Sequence, residues 1–141
     1  MDQHHNRRND HGNINTILYS RNAREQSDFY VKAFGGEVVS LRTFRDMPGA
    51  DESMKDRVLH LELQALGLRF FMADAGTESV DRGKGLDLTL EFKGEEEARR
   101  IFEALSQGGH VIMPFERMFW GTMFGRLEDP FGVIWQISTE A

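Results

Sequence analysis

The sequence predicts an α+β fold made of two half-domains, and three observations predict it. A helix end, a Gly-Gly pair and a strand start occur twice: FYVKAFGGEVV from Phe29 to Val39 returns as FEALSQGGHVI from Phe102 to Ile112, 73 positions on (102 − 29). An amphipathic helical stretch leads into each Gly-Gly pair, and apolar and polar residues alternate with period two in the strand segments. A period this long, used twice, does not describe a solenoid, which stacks several units. It describes two half-domains folded against each other, and ligand sites commonly lie where such halves face one another.

At 141 residues the chain suffices for one well-cored domain, whereas either half alone would be marginal. The absence of cysteine excludes disulfides, thiolate metal sites and a cysteine nucleophile. A net charge of −6 and a pI near 5.3, with no basic stripe, argue against a nucleic-acid partner. No apolar run reaches membrane-spanning length and the N-terminus lacks a signal-peptide core. A cytoplasmic protein with no membrane partner is the expectation.

Residues 1–12, MDQHHNRRNDHG, are polar and aperiodic and read as a disordered tail. The tail's His4, His5 and His11 are imidazole donors, but disordered histidines bear the full ordering cost on binding metal, so a solvated leader is the simpler reading. The first half spans 13–73. Ile14 to Tyr19 reads as a strand, and Asn22 as the cap of a helix, with Glu25 placed to reach back as in a capping box. Ala23, Phe29, Tyr30, Ala33 and Phe34 form that helix's apolar face, and Gly35 supplies a left-handed stop. In the strand Val58 to Ala65, Leu59, Leu61 and Leu63 share one face while His60, Glu62 and Gln64 share the other.

Residues 74–85, DAGTESVDRGKG, are polar and Gly-rich and read as the linker. The second half spans 86–139. In Leu86 to Phe92, Leu88, Leu90 and Phe92 oppose Asp87, Thr89 and Glu91. The next helix places Ala98, Ile101, Phe102 and Leu105 at i, i+3, i+4, i+7. Glu95, Glu96 and Glu97 suit its N-terminus, Arg99 and Arg100 stand four residues on from the first two, and Gly108 ends it. Asp129–Pro130–Phe131–Gly132 has the residues of a tight turn before a last strand, Val133 to Ser138. Unpaired carboxylates at Glu62, Asp87 and Glu91 cannot face a dry core. Their side of the sheet is therefore wet, ligand-lined, or paired with arginines, for which Arg42, Arg69 and Arg126 are available.

The ordered motifs GGHVIMPF, FWGTMFG and DPFGVIWQ, with NAREQSDFYVKAFGGEV and HLELQALGLRFFMAD upstream, resemble the PhnB-like branch of the glyoxalase/bleomycin-resistance, or vicinal oxygen chelate, superfamily. The resemblance covers residues 13–139. It implies two βαβββ modules, each a curved mixed sheet, with the concave faces enclosing a cavity, and commonly a homodimer. It also implies four metal-ligand positions, one on the first and one on the last strand of each module. Carried over by motif, these are Asn15, Phe71, Asp87 and Gln136. Phenylalanine cannot ligate, and asparagine and glutamine are weak neutral donors. The usual metal site therefore reads as dismantled and no cofactor is expected, a divalent metal being the alternative.

Two functions follow as expectations. In the first, the protein binds a small molecule without metal between its modules, using Asp87, Thr89, Phe115, Trp120 and Gln136. In the second it is an enzyme, an isomerase, lyase or ring-modifying catalyst. His60 and Glu62 then act with Asp87 as acid–base groups or non-standard ligands. His60 also reads as a hydrogen-bonded wall histidine, and the aromatic and methionine cluster around Phe115, Phe119, Trp120 and Phe124 reads either as core or as an adaptable ligand wall. A methyltransferase activity attaches to this branch by name, but no Gly-rich cofactor loop accompanies it here.

Overall fold

A computed structural model describes residues 12–76 and 79–141, so residues 1–11 of the expected tail and positions 77–78 of the linker lie outside the described residues. Strand β1 (Thr16–Ser20) leads to helix α1 (Ala23–Phe34), then β2 (Glu37–Thr43), β3 (Val58–Ala65) and β4 (Leu68–Asp74). The second module repeats this order as β5 (Leu88–Phe92), α2 (Glu95–Ser106), β6 (His110–Arg117), β7 (Met123–Glu128) and β8 (Ile134–Thr139). Each module forms its own four-stranded mixed sheet, ordered β1-β4-β3-β2 and β5-β8-β7-β6, in which the first and last strands run parallel. This is the α+β, two-module architecture read from the repeat and the resemblance.

The repeated Gly-Gly pair has a steric cause at each position. Gly35 and Gly108 take positive φ values of 78° and 79°, a conformation that costs glycine little. Gly36 and Gly109 are needed for space instead. A Cβ on Gly36 would lie 2.2 Å from the Gln64 carbonyl oxygen, and one on Gly109 would lie 2.1 Å from that of Glu128. The second glycine lets each helix exit cross the end of the third strand of its module.

Helix α1 begins as expected, with the Glu25 amide donating to Asn22 Oδ1 at 3.1 Å. The reciprocal half of the box is replaced: the Asn22 amide donates to Ser20 Oγ at 3.1 Å, and Asp74 Oδ1 accepts from Ala23 N at 2.7 Å. Asp74 Oδ2 also accepts from Val58 N at 2.7 Å, tying the starts of α1 and β3 to the end of β4. Thr139 closes the second module in the same way, accepting from Met123 N at 3.0 Å. In α2 the four expected apolar residues are buried. Arg99 pairs with Glu95, but Arg100 reaches Glu97 rather than Glu96. Three further expectations move. The first strand starts at Thr16, two residues late, and the last strand, β8, starts at Ile134, one residue late. Val58, not Leu59, is fully buried beside Leu61 and Leu63, because the β2–β3 register slips between Arg42 and Thr43.

One core joins the modules. Trp135 on β8 packs edge-on against Tyr30, Phe34 and Phe70 of the first module. Below it, the buried Asp129 collects four donors: the amides of Phe131 and Val133 on Oδ1, and Tyr30 Oη and Trp135 Nε1 on Oδ2 at 2.5 and 2.9 Å. Burial, then the Asp129 charge, push the Tyr30 phenol well above its ordinary value, so it remains a donor. In the linker, Arg82 adds a second tie between modules, donating to the carbonyls of Phe131 and Tyr19. Replacing Asp129 with Asn turns an amide N–H toward a buried donor, and leaving such a group unsatisfied costs about 1–3 kcal/mol. Urea denaturation should therefore show a larger loss for Asp129→Asn than for Tyr30→Phe, which leaves the carboxylate three donors.

Candidate functional site

The strand period decides which side chains face away from the helices. On β7 a Cβ at Gly125 would strike Phe102 of α2, so Gly125 faces the helix and its neighbours Phe124 and Arg126 face the other way. On β8, Trp135 and Ile137 are buried and Gln136 opposes them; on β3, Leu61 and Leu63 are buried and His60, Glu62 and Gln64 oppose them. Each sheet thus has a helix-covered face and an open face.

The open face of the second module carries a three-residue polar centre. Asp87 Oδ2 accepts from Arg126 Nε at 2.8 Å and from Gln136 Nε2 at 2.9 Å, while Oδ1 accepts from Arg126 Nη2 at 3.1 Å. The bidentate pair is largely shielded, with side-chain exposures of 29% for Arg126 and 14% for Asp87, which makes it more than an ordinary surface ion pair. The Arg126 hydrogen bonds, and then that of Gln136, hold Asp87 below its usual carboxylate value, while Asp87 holds Arg126 more firmly charged. Arg126 also lines a cleft of about 540 Å³ with linker residues Val80–Lys84, His110, Ile112, Glu128 and Ile134. Trp120 stands on the β6–β7 connection, 56% exposed, edge-on to Phe119 at 4.8 Å and to Phe124 at 6.4 Å.

The first module has a similar set made from different positions. Glu62 Oε2 accepts from Gln64 Nε2 at 3.0 Å and Arg69 Nε at 3.1 Å. The Gln64 hydrogen bond foremost, with the Arg69 charge, lowers the Glu62 carboxyl. His60 is exposed and lies beside the Phe71 ring at 5.1 Å, and the Arg69 guanidinium lies over that same ring, 5.0 Å from its centre.

The residues singled out from the sequence are therefore divided. Asp87 and Gln136 meet at hydrogen-bond distance. Glu62 and Asp87 sit on different sheets, each committed to its own arginine and glutamine. Among the described residues no three His, Asp or Glu side chains converge as a metal site. Thr89 is exposed and shares with Asn15 a cleft of about 410 Å³ between the first strands of the two modules. The ligand-wall role expected of Phe115 is corrected: it is buried on the helix side, its ring tilted against that of Phe102 at 5.5 Å and beneath Arg99. Of the arginines proposed as partners, Arg69 and Arg126 serve, whereas Arg42 pairs with Asp46. Arg82 went unnoticed in the sequence, since nothing in its surroundings distinguishes it from a solvated linker residue.

The residues at the four carried-over positions do not fit a divalent ion. Phe71 offers no donor, Asn15 is exposed, and the Asp87 oxygens already bind a guanidinium and an amide. Both depressed carboxylates give the same sign of pH dependence. Their stabilisation is fully present above the ordinary carboxylate range and is lost as pH falls through the lower, folded-state values. Carboxyl-carbon NMR titration should place both Asp87 and Glu62 below free aspartate and glutamate. In Arg126→Met, Asp87 should move back up, with Glu62 unchanged.

Comparison with known proteins agrees with this architecture. A family model described as 3-demethylubiquinone-9 3-methyltransferase matches residues 11–138. Protein YjdN of Escherichia coli is 24% identical over 133 residues, covering 86% of this chain and 90% of its own. The crystal structure of protein PA1353 from Pseudomonas aeruginosa superposes with a TM-score of 0.75 at 30% identity, covering 91% of this chain and 98% of that one. A bleomycin-binding protein solved with bleomycin shares the fold, with a TM-score of 0.60 at 17% identity over 92% of this chain and 99% of that one. Matched along nearly its whole length, the chain has the fold of the bleomycin-binding protein and belongs to the PhnB-like family, the family whose model bears the 3-demethylubiquinone-9 3-methyltransferase description.

Proposed function

We propose that this protein binds a small molecule on the open sheet faces without a metal ion. The observation that carries this reading is the Asp87–Arg126–Gln136 centre. The position that the family resemblance assigns to a metal ligand is here committed to a protein-borne cation. The centre supplies a fixed polar floor, and Phe124 and Trp120 supply flat apolar surface beside it, the usual composition of a small-molecule site. The fold relative that binds bleomycin is a precedent for such use of the scaffold.

The open faces also explain why a homodimer is part of this reading. Ile17 and Tyr19 are 53% and 54% exposed, and Met113 is exposed near Arg126, apolar surface that a second copy would cover. The first module's open face balances Arg42 and Arg69 against Glu37 and Glu62. The second carries Asp87, Glu91, Glu116 and Glu128 against Arg126. Two acidic second-module faces would repel each other, which favours the first module of one copy facing the second module of the other. Localisation in the cytoplasm belongs to the same proposal; among the described residues no helix is long and apolar enough to cross a membrane.

The enzyme reading rests on His60, which has open-face access and helps to lower the Glu62 carboxyl, but Glu62 and Asp87 take their hydrogen bonds from arginine and glutamine donors. The family's methyltransferase description finds no Gly-rich cofactor loop in the sequence. Elemental analysis should separate the readings, using full-length protein with His4, His5 and His11 changed to alanine. Substoichiometric zinc, nickel, manganese and iron are expected. Flat aromatic ligands should quench the exposed Trp120, and Trp120→Phe should abolish that response while the buried Trp135 keeps its emission. A stoichiometric metal that disappears in His60→Ala would instead favour the enzyme. Sedimentation equilibrium should give a particle of twice 16.2 kDa.

A further inference from the structure

Resting on the metal-free reading, we infer that Arg126 is the side chain that closes the second-module site to divalent cations. Its guanidinium takes both Asp87 oxygens in a bidentate grip. The same Asp87 carboxylate turns the Gln136 amide nitrogen inward, so that Gln136 donates where a cation would need its carbonyl. A divalent ion bound to either Asp87 oxygen would lie against a guanidinium that this carboxylate keeps in place, and like charges at that range repel strongly when shielded from water.

The surroundings show what would remain without the arginine. Gln136 is directly paired with Thr89 across the parallel β5–β8 ladder, so Asp87, Thr89 and Gln136 form an all-oxygen set once the amide turns. Carboxylate, hydroxyl and amide carbonyl are ligands for hard cations such as manganese or magnesium rather than for thiophilic ones. Arg126 lies on the open face, away from the packed side of β7 where Gly125 meets Phe102. Its replacement therefore removes a charge without opening the core. The exclusion is a matter of charge rather than shape, so lysine should preserve it and methionine should release it.

The probe is Mn²⁺ added to the full-length chain carrying alanine at His4, His5 and His11, with free ion read from its electron paramagnetic resonance signal. The parent and Arg126→Lys should show no stoichiometric site in the micromolar range. Arg126→Met should bind at least about tenfold more tightly than the parent, as expected for an uncovered carboxylate-centred oxygen set, and Arg126→Met with Asp87→Asn should lose that gain. Arg126→Met binding no better than the double variant would overturn the role of Arg126. The parent provides a test independent of any substitution. Its Gln136 side-chain amide signal should be broadened by Mn²⁺ no more than that of Gln64. Selective broadening of Gln136 in the parent would overturn both this inference and the metal-free reading. An unbroadened parent with an unresponsive Arg126→Met would overturn this inference alone.

Discussion

The buried carboxylate of Asp129 is the constraint from which the arrangement of the two modules follows. Taking a carboxylate out of water costs several kcal/mol unless its lone pairs are filled by well-placed donors. Here two donors come from the turn that Asp129 itself begins, one from β8, and one from α1 of the other module. The same four bonds fix the turn geometry, the start of β8 and the approach of α1. With β8 placed, its parallel register against β5 sets Thr89 opposite Gln136 and brings Gln136 within reach of Asp87 on the far face. A core hydrogen-bond hub on one side of β8 thereby positions the polar centre on the other.

The open faces use a different physical solution for their carboxylates. Glu62 and Asp87 are not buried deeply enough to require a complete donor shell, yet each receives an arginine Nε and a glutamine Nε2. The positions are not equivalents in the repeat: glutamine is two residues away along one strand in the first case and on the neighbouring strand in the second. The shared chemistry reflects a common problem, a charged group on a half-shielded sheet face beside aromatic rings. Both sets leave rigid, oriented donors and acceptors where a ligand or a second copy would dock. Rigid polar groups suit binding because their orientation is not purchased anew with each ligand.

Much of this was legible from residue order because local rules and packing agree. The Gly-Gly pairs, the four-residue apolar face of α2, the Asn22 cap and the Asp129–Gly132 turn all arise from near-neighbour physics. Strand alternation also placed Glu62 and Asp87 on wet faces and named Arg69 and Arg126 among their possible partners. It could not choose between those partners, since Asp87 and Arg126 meet across β8 and depend on two strand registers. Leu59 and Val58 exchanged roles for a similar reason: Leu59 is the extra residue of a bulge in β3, opposite Arg42 and Thr43, and it shifts the pleat. Phe115 was ambiguous because the irregular β6–β7 register, with its shift between Met113 and Glu116, hides which face an aromatic occupies. Asp129 was legible as a turn residue but not as a hub, because its remote donors, Tyr30 and Trp135, are brought there by tertiary packing.

A paired guanidinium and an open-sited metal ion present different surfaces to a ligand, and the difference sharpens what this site can select. A metal offers exchangeable coordination positions and a charge that polarises whatever oxygen enters. Arg126, already neutralised in large part by Asp87, offers fixed N–H vectors and little net charge. A strongly anionic ligand would gain attraction from the guanidinium but meet Asp87 immediately behind it and the acidic residues Glu91, Glu116 and Glu128 on the same face. On the proposed binding reading, a ligand with balanced acceptors and donors and a flat apolar part avoids that conflict, and the neighbouring rings of Trp120 and Phe124 would provide the surface for it. Selection at such a site rests on the matching of hydrogen bonds and shape, with charge mainly excluding the wrong partners.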